Sequence, residues 1–268
     1  MAHPLDGARA KIDRAVESVE YLNRDITGFF SGRYSTPNKI VGKPERNGLE
    51  YAFVVSGDPE VPLRFSVKAG EIIYLLRSSL DHLVHALVVQ NGGAPTNQTQ
   101  FPICTTIEKF DEARKRRRIE GVSASAEKLI IAKQPYTSPV PDDTVLAVLD
   151  EYNRFDKHQL LIVCIAVAQI RGHIAIRANE RVNGRQITIP DIVDFSDLKP
   201  RKMSEDGNVI FTLFLKEAAP DLQVEAEFMP QIAFEKCGRK QLAPIIDVLH
   251  GFISATKDIL RSFDGEFV

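Results

Sequence analysis

Tryptophan is absent from the 268 residues, and cysteine and methionine occur three times each. The missing tryptophan excludes nothing. The cysteines say more: Cys104, Cys164 and Cys237 are far apart, odd in number and form no Cys-x-x-Cys pair. That pattern argues against a disulfide framework or a zinc knuckle and fits a reducing compartment, the cytoplasm. An excess of one charge is also lacking, since 34 Lys and Arg face 36 Asp and Glu. No global field then favours nucleic acid or an acidic membrane, and such binding would need a local patch. The longest apolar run, 160–170, is broken by Gln169 and too short to span a bilayer. The first residues lack the apolar core of a signal peptide, so no membrane association is expected. No phosphate-cradling loop, Gly-x-Gly-x-x-Gly or Gly-x-Ser-x-Gly elbow occurs, so no nucleotide cofactor and no serine nucleophile are implied.

What is present is 44% hydrophobic and 26% charged residues, enough for a sizeable core. Helical spacing of Ile12, Val16, Val19, Leu22 and Ile26 predicts a helix over 5–30. Residues 49–55 and 61–67 flank Ser56-Gly-Asp-Pro-Glu60 and predict a hairpin. A helix over 70–90 ends at the breaker cluster 91–95. Helices follow at 107–118 and from a Ser123 cap to Ile131, then a proline-rich connector, 134–141. A long helix over 143–170, capped by Asp142 or Asp143, precedes strands at 186–189, 209–215 and 222–228. A last helix spans 242–263, with Pro244 in its first turn. This order predicts a single α+β domain over 1–268. Its helical core covers about 70–172, and its β-rich part covers about 47–68 and 183–235. A helical bundle would pack against an antiparallel sheet made from the N-terminal hairpin and the C-terminal strands.

The chemistry concentrates on two helices. In 70–90, Ile72, Ile73, Leu76, Leu80, Leu83, Val84 and Leu87 trace the apolar face. Tyr74, Ser78, Asp81 and His85 lie opposite, with Arg77 and His82 at the two borders. Arg77–Asp81 and Asp81–His85 are i, i+4 pairs, so a charge ladder fits. In 143–170, Asp156 falls in the middle of the stripe Leu149, Tyr152, Leu160, Val163 and Val167, with Asn153 beside it and His158 on the far side. A carboxylate in a buried stripe needs a partner, for which Arg77, Lys157 and the histidines are the candidate cations. Asn23 falls on the apolar face of the first helix.

These residues converge on one junction, which is either a site or a satisfied polar network that sets helix register. As a site, Arg77, His82 and Asp156 are the catalytic candidates. Asn23, Asp81, His85, Asn153 and His158 are the binding candidates. Histidine and carboxylate spacing does not match a metal template, so no metal or other cofactor is expected. Cys164 reads as core. Arg114-Lys-Arg-Arg-Arg118 is the one basic run. It is either a solvated helix face or an RNA contact through Arg114, Arg116, Arg117 and Arg118.

Two resemblances attach to these residues. RSSLDHLVHAL (77–87), QFPI (100–103), QPY (134–136) and YNRFDKHQLL (152–161) resemble an uncharacterised bacterial protein family, a likeness that implies no activity. Arg77-Ser-Ser-Leu-Asp-His82 is similar to the Arg-x4–6-His motif of HEPN domains, helical bundles many of which are dimeric metal-independent ribonucleases. Carried over, the similarity implies a homodimer in which Arg77 stabilises phosphate charge and His82 acts as acid or base. Two features depart from it: the β content, and a continuous helix that points Arg77 and His82 about 140° apart. The functional expectation is thus small polar ligand binding or HEPN-like RNA cleavage, with a non-catalytic interaction module as the alternative.

Overall fold

The computed structural model describes residues 3–33, 38–55, 60–170, 175–178, 192–195, 201–202, 208–218, 222–235 and 242–267. The strand expected at 186–189 and Cys237 lie outside them. The chain is α+β and divides into two compact units, each discontinuous in sequence. Unit 1 comprises 1–24, 63–161 and 246–268, and unit 2 comprises 25–62 and 162–245.

Unit 1 is helical. Helix α1 (Asp6–Arg33) buries Ala8, Ile12, Ala15, Val19 and Leu22, an alternation of three- and four-residue steps that keeps one face inward. Helix α2 (Leu63–Gln90) is the core element. Its stripe Phe65, Ala69, Ile72, Leu76, Leu80, Leu83 and Leu87 is buried throughout. The expected hairpin arm at 61–67 is therefore the first turn of this helix. Read at a period of two, Leu63, Phe65 and Val67 share a face. In the helix only Phe65 turns inward, continuing the stripe, while Leu63 and Val67 are exposed. By length and composition α2 could cross a membrane, but 61% of its most apolar window is buried inside the protein.

Helices α3 (Ile107–Lys115) and α4 (Ala124–Ala132) start at Thr106 and Ser123, whose hydroxyls accept from the Lys109 and Ala126 amides. Helix α5 (Val145–Asp156) is capped by Thr144, which accepts from Ala147 N–H. Asp142 and Asp143 form the single turn before it rather than the cap. The helix expected over 143–170 ends at Asp156; a turn follows, and 163–170 is a strand. The β-branched alternation Val163, Ile165, Val167 suits a pleated surface better than a helix. Helix α6 (Ile245–Ser262) completes the unit, with Phe252 edge-on to Tyr152 of α5 at 5.9 Å. Pro244 stands just before its first turn.

Unit 2 holds two antiparallel sheets. Its strands are β1 (Asn38–Val41), β2 (Lys43–Glu45), β3 (Glu50–Val55), β4 (Val163–Ile170), β5 (Ala175–Ala178), β6 (Ile192–Phe195), β7 (Arg201–Lys202), β8 (Asn208–Leu215), β9 (Leu222–Phe234) and β10 (Ala243–Pro244). One sheet runs β1-β9-β4-β7, with β5 and β10 also on β9. The other runs β2-β3-β8-β6. An N-terminal hairpin does pair with C-terminal strands, but its arms are β2 and β3. Asn47 and Gly48 turn it with φ of 58° and 83°, which an asparagine and a glycine accept at low cost. Tyr51 faces Leu213 across β3 and β8, and Cys164 faces Ala233 across β4 and β9; all four are buried.

Candidate functional site

Arg77 lies on the inner border of α2 and is 8% exposed. A buried guanidinium needs partners for its donors and its charge. Nη1 donates to Asp81 Oδ1 at 2.6 Å, one helical turn on, and Nη2 donates to the Phe101 carbonyl at 2.7 Å. Nε lies 3.4 Å from Asp150 Oδ1 on α5. Asp150 also faces Arg154 Nε at 3.3 Å. Asp81 Oδ1 in turn accepts from Phe101 N–H at 2.9 Å. Arg77 and Asp81 thus grip both polar groups of one residue, Phe101, whose ring is fully buried.

The next residues of that loop are held the same way. Gln134, 1% exposed, donates to the Pro102 carbonyl at 2.9 Å and accepts from Cys104 N–H at 3.1 Å. Tyr136 N–H closes on the Cys104 carbonyl at 3.1 Å. A buried loop must find partners for its backbone, and here the side chains of Arg77, Asp81 and Gln134 and the Tyr136 amide supply them. The pieces 77–81, 100–104 and 134–136 are one clamp. Burial also pushes the Cys104 thiol up.

Asp156 is placed otherwise than the stripe suggested. It is the last residue of α5, half-buried, and its carboxylate rests on Gly70 of α2. A Cβ at Gly70 would overlap both carboxylate oxygens. Asp156 does not pair with Arg77, and it has no ion pair or side-chain hydrogen bond among the described residues. Burial pushes its carboxyl above the usual range. Asn153, one turn earlier, is buried.

The other candidates disperse. His82 is on the solvent side of α2 against Gly7 of α1. Partial burial lowers its pKa, Lys11 and His85 add to the shift, and Asp81 opposes it. His85 is exposed, and so is His158, in the turn after α5. Asn23 is exposed despite its place beside the α1 stripe, because Leu22 and Val19 turn inward there. In the basic run, Arg114 pairs with Glu127, Arg116 with Glu112 at 3.8 Å and Arg117 with Glu120 at 2.6 Å.

Arg77, Asp81 and Asp150 are therefore brought together; His82, His85, His158 and Asn23 are not. Asp150 and Gln134 are partners in this junction that the sequence reading did not single out. Asp150 left one signal, its i, i+4 spacing to Arg154. Gln134 left only its place at the head of QPY. No protein-family model, curated protein or solved structure matches this chain.

Proposed function

We propose that the chain is a non-catalytic interaction module in which the polar junction of unit 1 is structural. The observation that carries this is the engagement of Arg77 through each of its three guanidinium nitrogens. Its guanidinium is buried and divided among Asp81, Asp150 and the Phe101 carbonyl. Stabilising a phosphate would require breaking that clamp, and His82 projects to another side. The pairing within the basic run likewise counts against an RNA contact there. Buried Cys104 and Cys164 are free thiols, which suits the cytoplasm as the compartment.

The test pairs nuclease assays with stability. Wild-type protein should leave RNA intact, and Arg77→Ala should cost about 3 kcal/mol in urea unfolding. RNA cleavage by the wild type that disappears in a normally folded His82→Ala variant would reject the proposal in favour of HEPN-like catalysis. A small polar ligand at the α5 terminus is the second reading, favoured by the unpaired, half-buried carboxylate of Asp156. Its measure is a ligand-dependent rise in Tm that Asp156→Asn abolishes.

A further inference from the structure

A helix whose apolar residues all serve one core leaves its outer face polar. The N-terminal half of α2 does not. Leu63, Val67 and Tyr74 are 71%, 44% and 57% exposed, and at steps of four and seven they share one face. Tyr21 of α1, 58% exposed, stands beside them under the Lys68 ammonium, 4.3 Å from its ring. Tyr21, Lys68 and Glu71 line one open cleft. Four large exposed hydrophobics grouped in this way mark a contact surface rather than scattered exposure.

The stripe is complementary to itself. Turn α2 end for end about a two-fold axis passing midway between Lys68 and Glu71. Each Lys68 then stands opposite the other copy's Glu71, on the same flank of the pair. Tyr74 meets the height of position 65, the gap between Leu63 and Val67, so each ring enters a hole left by two aliphatic side chains. An isologous contact demands that one patch provide both partners of every interaction, and this segment of about 16 Å does so for charge and for shape. A partner of uniform charge would leave either Lys68 or Glu71 opposed.

We propose that the solvent face of α2 between Leu63 and Tyr74 is a docking surface for a second copy of this chain, packed antiparallel about that axis. It rests on the interaction-module reading above and names the partner of that module.

The experiment is sedimentation velocity on the full chain across roughly 1–100 µM, with circular dichroism and Tm confirming the fold of each variant. The wild type is expected to dimerise. Tyr74→Glu should weaken the dimer about a hundred-fold, as for an aromatic anchor seated between two aliphatic side chains. Lys68→Glu and Glu71→Lys should each weaken it about ten-fold, by setting like charges opposite one another. The double variant K68E/E71K should recover it. An equimolar mixture of the two single variants should form a heterodimer, because both flanking contacts become attractive again. A monomeric wild type at the highest concentration overturns the proposal, as does a dimer indifferent to Tyr74→Glu or to the charge exchange. Neither result touches the stability of the Arg77 clamp or the RNA assay, so failure here and failure of the module reading are separable.

Discussion

Asp156 ends α5 with a carboxylate set against Gly70 and with no ion pair among the described residues. Its folded pKa is raised, so the ionised form is a cost to the fold at neutral pH. That cost is present above the folded pKa and vanishes as pH falls through it toward the unfolded value. Asp156→Asn should therefore raise the urea midpoint at pH 7 and lose its advantage near pH 3.5, and an equal gap at both values would contradict this linkage. The two carboxylates on Arg77 also differ in weight. Asp81 holds Arg77 and the Phe101 amide, while Asp150 approaches only at 3.4 Å. Asp81→Ala should cost about 2–3 kcal/mol and Asp150→Ala about 1, measured by denaturant unfolding. That Arg77 contributes to a buried junction was legible from its border position on a strongly periodic helix. Which carboxylate it meets was not, because that depends on how α5 lies against α2, a tertiary fact that helical phase does not contain. The error about Asp156 came from extending its helix to 170, which invented the stripe around it.

At the scale of elements, α2 and α5 meet where Gly70 makes room for Asp156. A glycine inside a helix costs about 1 kcal/mol relative to alanine, so its presence calls for a local reason. Gly70→Ala should destabilise the wild type by about 1 kcal/mol net, and should stabilise an Asp156→Ala background by up to about 1. Additive effects in that double-mutant cycle would show that the two residues do not compete for space. Caps were readable where a hydroxyl stood directly before the helix, as at Ser123. At α5 the acidic pair drew attention from Thr144. Thr144→Ala should lower stability by about 1 kcal/mol, measured by thermal unfolding. The two misread segments, 61–67 and 160–170, are short apolar runs with both periods present. What decides such runs is which neighbour covers them, and no window of sequence holds that information.

For the whole molecule, the class α+β followed from the order of periods along the chain, and strands from both sides of the central helices do share sheets. The two interleaved units were not legible, since two of the four crossings carry no punctuation: 24–25 lies inside α1 and 161–162 inside an apolar run. Unit 1 needs its last segment, because Phe263 of 246–268 is fully buried and Phe252 packs on Tyr152. A fragment of residues 1–161 should therefore fail to show a cooperative melt by circular dichroism, and a peptide of 246–268 should restore one. A fragment that melts cooperatively alone would refute this. The same interleaving matters during synthesis. Between the emergence of α2 and of α6 the ribosome must make all of 162–245, which alone takes roughly 4–17 s at ordinary elongation rates. For that interval a 28-residue helix apolar enough to pass for a membrane span lacks the α6 side of its unit. Until residues 246–268 are made, the apolar face of α2 is left without that part of its cover.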